Sequence, residues 1–292
     1  MEKIRKVGVI GGGLMGSGIA QVCAAAGFPT TVREVTTDLC TRSRQSIEKT
    51  LAKGIERGKV TSDERDRTLG NLRFATRLEE MADADLFIEA VVEDLTVKNN
   101  LWSDLNKIAG ADAIFASNTS SLTIIAMAAA SGRADRMLGL HFFNPVPLMK
   151  LVEVVRTILT SDDSFDRAFA FARSLGKEPV ACKDNSGFIV NRLLVPYILD
   201  AIRAYEEGVG SIDDIDKAMQ LGCGYPMGPF TLLDFVGLDT TYYITHVMFE
   251  EYREKRFAAP ALLRKMVLAG RYGRKSGAGF YDYTSGKPVP FK

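Results

Sequence analysis

A doubly wound α/β sheet domain carrying a helical-hairpin insertion, followed by an all-α domain, is the fold class predicted by three features of the sequence. Short apolar runs alternate with helical patterns up to about residue 182, a polar helix-periodic stretch at residues 37–69 interrupts them, and from Gly187 onward the strand signal nearly vanishes. The 292 residues exceed the roughly 100–200 of one domain. The turn-rich segment Lys183-Asp184-Asn185-Ser186-Gly187 marks the expected joint, giving domains of residues 1–184 and 185–292.

Strands are expected at residues 6–10, 30–34, 85–91, 113–117, 137–143, 151–156 and 179–182, in a parallel sheet. The first runs into Gly11-Gly12-Gly13-Leu14-Met15-Gly16, a GxGxxG match opening a helix that ends near Ala26, with Gly27 as its cap. Gly11 serves the tight turn, Gly13 the close approach of a pyrophosphate, and Gly16 the packing of helix on strand. The anion then sits at the positive helix end, beside Leu14 and Met15. Glu34 closes the second strand, where a carboxylate accepts from both ribose hydroxyls and repels a 2′-phosphate. A Rossmann-type domain holding NAD rather than NADP is the expectation, although Arg33 stands beside Glu34 and could accommodate that phosphate.

In the insertion, Thr61 and Glu64 form a capping-box pair for its second helix. Lys49, Lys53 and Arg57 recur every four residues, which aligns three cations on one helix face. That face is either a solvated stripe, since Glu48 and Glu56 lie nearby, or an anion-binding surface.

Composition excludes several function classes. With 37 basic against 36 acidic residues and a formal charge of +1, no global field holds nucleic acid or a membrane surface. Cys23, Cys40, Cys182 and Cys223 show no CxxC spacing, so neither a metal site nor a disulfide framework is expected, and a reducing cytoplasm suits them. No secretory leader is expected, because the first residues run directly into strand and glycine turn. The longest apolar stretch, residues 187–204, contains Asn191, Arg192, Pro196, Asp200 and Arg203, too polar and broken to span a bilayer.

Two histidines limit the choice of a general base. His141 ends an apolar strand and begins His141-Phe142-Phe143-Asn144-Pro145-Val146-Pro147, whose prolines turn the chain. Glu153 lies inside the apolar run Leu151-Val152-Glu153-Val154-Val155, where a carboxylate is costly to bury without a partner. If the chain doubles back through the proline loop, His141 is that partner; otherwise the two are satisfied separately. A carboxylate on one imidazole nitrogen fixes the tautomer and strengthens the other nitrogen as a base. His246, within a helical stretch, has no such setting and reads as a packing or interface residue. Ser117-Asn118-Thr119-Ser120-Ser121 follows a strand at the ligand-binding edge of the sheet, although polar residues there also cap helices. Asn191 interrupts an apolar helix, and its amide requires either backbone or ligand partners.

Together these segments resemble the 3-hydroxyacyl-CoA dehydrogenase family: Ser-Asn-Thr-Ser-Ser at 117–121, His-Phe-Phe-Asn-Pro-Val-Pro at 141–147 with Lys150 and Glu153, Gly-Phe-Ile-Val-Asn-Arg at 187–192, Pro-Met-Gly-Pro at 226–229 and Gly-Ala-Gly-Phe-Tyr-Asp at 277–282. The match spans essentially the whole chain, and within the family the bacterial single-function branch acting on 3-hydroxybutyryl-CoA is nearest. The resemblance implies His141 as general acid/base with Glu153 as its charge partner, Ser120 on the substrate's C3 oxygen, and Asn191 positioning the substrate. It places Glu93 and Lys98 near the nicotinamide, Asn118 at the cofactor, and the CoA phosphates beside Lys49, Lys53 and Arg57. It also implies a homodimer formed by the C-terminal domain.

Two positions depart from the family pattern: Glu34 replaces a commoner aspartate, and Ser186 stands where proline is frequent, which implies a less stiff joint. A dehydrogenase of a related hydroxy or sugar acid, gulonate-like, shares the serine and histidine segments, whereas the phosphogluconate-like branch uses a lysine where this chain has Asn191-Arg192. A catalytically idle NAD-binding protein is the reading from a different class, and the complete set Ser120, His141, Glu153 and Asn191 weighs against it.

Overall fold

The sheet is assembled by alternation of strands and helices, as described for residues 3–291 in a computed structural model. The chain divides into two compact units, one ending at Phe188 and the other beginning at Ile189.

In the first unit β1 (Val7–Ile10), α1 (Leu14–Ala25) and β2 (Thr30–Arg33) form the opening crossover. The insertion follows as α2 (Thr37–Glu56) and α3 (Ser62–Gly70). Thr61 and Glu64 form the reciprocal capping box expected from their spacing, with Thr61 N donating to Glu64 at 2.8 Å. Then come β3 (Leu72–Ala75), β4 (Leu86–Glu89), α4 (Leu95–Ile108), β5 (Ile114–Ser117), α5 (Ile124–Ala130), β6 (Met137–Phe142), β7 (Leu151–Arg156), α6 (Asp162–Ser174) and β8 (Glu178–Lys183). The eight strands lie in the order β3-β2-β1-β4-β5-β6-β7-β8.

Strand residues alternate between two cores. Leu86 and Ile88 join one cluster while Phe87 joins the other, and Ile114 and Ala116 part from Phe115 in the same way. Both faces of the sheet are therefore covered, as a doubly wound arrangement requires. The reversal of strand order between β1 and β4 creates the crevice at the carboxyl ends of the strands.

Two features correct the expected sheet. The strand β3 is added at the edge, paired parallel with β2. The sheet was expected to be parallel, with a doubling back through the proline loop left open, and β7 does run antiparallel to β6. Residues 143–150 are too few for a parallel crossover, which needs about a dozen, so the chain can only double back.

The second unit consists of α7 (Val190–Glu206), α8 (Ile212–Cys223), α9 (Pro229–Val236), α10 (Leu238–Tyr252) and α11 (Ala261–Leu268), with a short antiparallel pair, β9 (Tyr281–Asp282) and β10 (Val289–Pro290). Its own core is built around Leu199, Phe230, Leu233, Met248 and Phe280. Among the described residues, no helix is long and apolar enough to cross a membrane.

Candidate active site

At the glycine turn, the three glycines answer to different neighbours. Gly11 has φ +89°, and a Cβ there would lie 2.7 Å from the Ala90 carbonyl oxygen. A Cβ on Gly16 would lie 1.7 Å from the Gly11 oxygen, so helix and strand meet there with no room for a side chain. Around Gly13 a Cβ would meet nothing within 4 Å. The α1 N-terminus has no side-chain cap and no acid in its first turn, leaving its amides to an anion. Leu14, 72% exposed, and half-buried Met15 begin this helix. The residues present fit a dinucleotide pyrophosphate.

Glu34 stands just beyond β2, where its Oε1 accepts from Gly12 N at 2.5 Å. The carboxylate is thereby held against the glycine turn, in the position the ribose rule requires. Arg33 donates from Nε to the Thr76 carbonyl at 3.2 Å, which turns it to the β3 side.

A charged network closes the crevice beyond β4. Glu89 and Lys98 are buried, and Lys98 Nζ bridges Glu89 Oε1 at 2.7 Å and Glu93 Oε2 at 3.0 Å. Glu89 also accepts from Val91 N at 2.8 Å and Ser117 Oγ at 2.6 Å. Glu93 accepts from Thr119 Oγ1, from Ser121 Oγ at 3.1 Å and from Ser120 N at 3.3 Å. Burial opposes ionisation of Glu93, but the Lys98 ammonium and the hydroxyl donors prevail and hold its carboxyl below the usual range. Burial likewise opposes the charge on Lys98, and the two carboxylates overcome it, raising the ammonium above its ordinary value. The network thus fixes the Ser117–Ser121 loop that carries Ser120. Asn118 turns elsewhere: its Oδ1 accepts from Phe142 N at 2.9 Å, tying the loop to β6.

His141 and Glu153 face each other across the antiparallel pair β6–β7, directly in register. Both are buried, and His141 Nδ1 lies 2.6 Å from Glu153 Oε2. That contact assigns the proton on the ring to Nδ1 and leaves Nε2 as the nitrogen with base character. The ring packs against Phe143, with centroids 4.5 Å apart, and Phe188, at 5.5 Å. Phe188 holds a left-handed backbone at φ 49°, uncommon for an aromatic residue. After β6, the proline loop is clamped by Lys177, whose Nζ donates to the carbonyls of Val146 at 2.5 Å and Met149 at 2.8 Å.

The joint segment supports the Ser120 loop from its far side. Asp184 accepts from Ile124 N at 2.8 Å and Ile125 N at 2.7 Å, capping α5. Buried Ser186 donates from Oγ to the Ser121 carbonyl at 3.0 Å. A hydroxyl at this position adds a tie that proline could not make. In the second unit, Asn191 lies in the first turn of α7, partly buried. His246 packs edge-on against Tyr242, with ring centroids 4.5 Å apart.

On the insertion, Lys49 and Lys53 lie on α2 and are exposed, as is Arg57. Arg57 is the C-cap residue of α2, and its N–H donates to the Lys53 carbonyl at 3.2 Å, one helical turn beyond Lys53. Glu48 pairs with Arg44 at 2.9 Å, so its carboxylate is engaged on the preceding turn.

Glu89 and Lys177 are not among the candidates the sequence offers, while Ser117, Thr119 and Asp184 appear there only as members of polar segments. Glu89 was detectable, since a carboxylate ending the apolar run Leu86-Phe87-Ile88 carries the same signal as Glu153. Ser117 and Thr119 donate to the Glu89 and Glu93 carboxylates, whereas Asp184 and Lys177 bind backbone distant in sequence, and no local pattern announces these contacts.

The sequence matches the 3-hydroxyacyl-CoA dehydrogenase NAD binding domain over residues 6–185 and the C-terminal domain of the same family over residues 187–283. It is 50% identical to a 3-hydroxybutyryl-CoA dehydrogenase of Mycobacterium tuberculosis, covering 97% of this chain and 99% of the relative. The mitochondrial hydroxyacyl-coenzyme A dehydrogenase of Homo sapiens is 49% identical, over 96% of this chain and 91% of the relative. Among solved structures, (S)-3-hydroxybutyryl-CoA dehydrogenase from Ralstonia eutropha superposes with a TM-score of 0.94 at 38% identity, covering 97% of this chain and 100% of the other. With an NAD-binding sheet unit, a buried histidine–carboxylate pair and matches over nearly its whole length, the chain belongs to the 3-hydroxyacyl-CoA dehydrogenase family.

Proposed function

We propose that the protein is an NAD-dependent dehydrogenase interconverting L-3-hydroxyacyl-CoA and 3-ketoacyl-CoA, with short chains such as 3-hydroxybutyryl and acetoacetyl as substrates, in fatty acid or butyrate metabolism. The observation that carries this reading is the buried His141–Glu153 contact of 2.6 Å at the carboxyl end of β6. Bound at the glycine turn, with Glu34 on its ribose, NAD supplies the hydride acceptor.

In the oxidative direction, His141 Nε2 takes the proton of the C3 hydroxyl as hydride leaves that carbon, and Glu153 stabilises the resulting imidazolium. Reduction of the 3-ketone runs the same steps backwards, with His141 entering protonated. Ser120 holds the C3 oxygen, and the Glu93 contacts to its amide and to its neighbours' hydroxyls keep its loop in place. Asn191 orients the substrate, and the cations Lys49, Lys53 and Arg57 hold the CoA phosphates. Exposure of all three, with Glu48 paired to Arg44, supports the last assignment.

Homodimerisation through the second unit is supported by exposed apolar side chains there, among them Leu221, Phe235 and Leu268. Cytoplasmic residence accords with the absence of a membrane-crossing helix among the described residues, while the human relative is mitochondrial.

The direct test is oxidation of NADH on addition of acetoacetyl-CoA. Turnover is expected, with a higher kcat/KM than for NADPH, because Glu34 repels a 2′-phosphate. Absence of turnover with any short 3-ketoacyl thioester would sink the reading. For the CoA site, Lys53→Ala should raise KM for acetoacetyl-CoA and leave KM for the pantetheine thioester, which lacks nucleotide phosphates, unchanged. An equal rise for both would return the stripe to plain solvation.

A further inference from the structure

The buried carboxylate–ammonium–carboxylate trio beyond β4 contains two acids and one base, a formal sum of −1 at one end of the crevice. Its position follows from the sheet. Glu89 is in register with Ile10, the last residue before the glycine turn. Glu34 lies beyond β2, on the other side of β1, and marks the adenosine half of a dinucleotide. The nicotinamide half must then extend over β4 and β5, the strands that deliver Glu89 and Ser117. Glu93 is the member nearest solvent, with its side chain 27% exposed against 1% for Lys98.

Hydride transfer changes charge in one part of the cofactor only. The nicotinamide ring is cationic when oxidised and neutral after accepting hydride, whereas adenine, ribose and pyrophosphate are the same in both states. We infer that the Glu89–Lys98–Glu93 trio acts as a redox-state selector, its negative sum strengthening NAD+ binding relative to NADH. This rests on the assignment of the glycine turn as the NAD site.

The charge states follow from the contacts. Glu89 takes donors from Lys98, Val91 and Ser117, the pattern of an ionised carboxylate, which only accepts. Lys98 sits within 3.0 Å of both acids. The neighbouring Asp94 belongs to α4, where its Oδ1 accepts from Val97 N at 2.9 Å and its charge is offset by the helix N-terminus. At the intermediate dielectric of a partly exposed site, one unit charge across several ångströms is worth about tenfold in affinity.

The test measures binding without an acyl substrate: NADH by its fluorescence, NAD+ by competition against it, at fixed ionic strength. Glu93→Gln should raise the ratio Kd(NAD+)/Kd(NADH) by about tenfold, while Glu93→Asp, which keeps the charge, retains the native ratio. In the native protein, added salt should raise the same ratio, since partly exposed Glu93 is screened. A ratio that stays constant in Glu93→Gln and across the salt series, even if both Kd values move together, overturns the inference and reduces the trio to loop support. If the native protein binds neither nucleotide, the cofactor assignment fails instead.

Discussion

In the sheet unit, the buried carboxylates Glu89 and Glu153 accept from Lys98 and His141, side chains that carry charge or move protons. In the helical unit, Asp216 and Asp234 accept mainly from backbone amides. Asp216 takes Phe230 N at 2.7 Å and Thr231 N at 2.9 Å at the start of α9, with the Thr231 hydroxyl at 2.6 Å and the Tyr281 hydroxyl at 3.0 Å. Asp234 takes Phe280 N and Tyr281 N, both at 2.8 Å, and the Tyr283 hydroxyl at 2.9 Å. A carboxylate held by amides is a fixed pin, whereas one held by an imidazole or ammonium has its energy tied to a charge that chemistry can change. The difference also explains two glycines in the family segments of the helical unit. A Cβ on Gly228 would lie 2.3 Å from the Asp216 carboxyl carbon, and one on Gly279 would lie 1.9 Å from an Asp234 oxygen.

The largest expected effect is on turnover. His141→Gln should lower kcat by about 10²–10⁴-fold while the NAD affinity of the folded protein stays near native. Glu153→Gln should also slow turnover, by a smaller factor. Near-native kcat in His141→Gln, measured by NADH oxidation, would break the comparison at its first term.

Next comes stability in the helical unit. Asp216→Ala strands two amides and two hydroxyls in a largely buried setting and should destabilise by about 3 kcal/mol in denaturant unfolding. The kcat of the folded fraction should hold. A loss of kcat matching that of His141→Gln would show that Asp216 is no mere pin.

A third test uses acidity. The Glu93 carboxyl is held below its usual range, so its stabilising contribution is present above the ordinary carboxylate pKa and is lost as pH falls through the lowered value. Asp234 has the opposite sign: burial leads over its hydrogen bonds and raises its carboxyl, so its ionisation penalty disappears as pH falls through the raised value. On acidification from neutrality, the stability difference between the native protein and Asp234→Asn should move in favour of the native protein. The difference from Glu93→Gln should move against it at still lower pH. Parallel curves in thermal melts would show that Lys98 does not distinguish the two settings.

The smallest effect belongs to the joint. Ser186→Ala removes the bond to the Ser121 carbonyl and should destabilise by about 1 kcal/mol, with a modest rise in KM through the Ser120 loop. An unchanged melting point together with unchanged KM would mean that the hydroxyl serves neither fold nor substrate.

Much of the sheet and of the His141–Glu153 pair was legible because the sequence carries its own periodicity there. The apolar runs ending at Ile10, Glu89 and Ser117 are buried at every position, so strand propensity and burial agree. At β3 they part: only Ala75 of Leu72–Ala75 is buried, and an edge strand so exposed leaves little pattern. Glu153 stood out as a carboxylate in an apolar strand, and the proline loop offered a route to His141. The short loop between β6 and β7 also points to their antiparallel direction, since a parallel crossover needs about a dozen residues. The Lys177 clamp was not legible, because its two acceptors are backbone carbonyls about thirty residues away, and any residue type presents those.

The open space around Gly13 makes one protein into its own control. Gly16 cannot be changed without forcing α1 off the sheet, but the backbone at Gly13, with φ −64° and no neighbour within 4 Å of a Cβ, admits an L side chain. A methyl group there would occupy the volume meant for phosphate and nothing else. Gly13→Ala should therefore be a protein with native circular dichroism and native melting in the absence of nucleotide, yet one whose melting rises less when NAD is added. Such a form, weakened toward nucleotide alone, would separate what this chain does as a folded object from what it does as an enzyme.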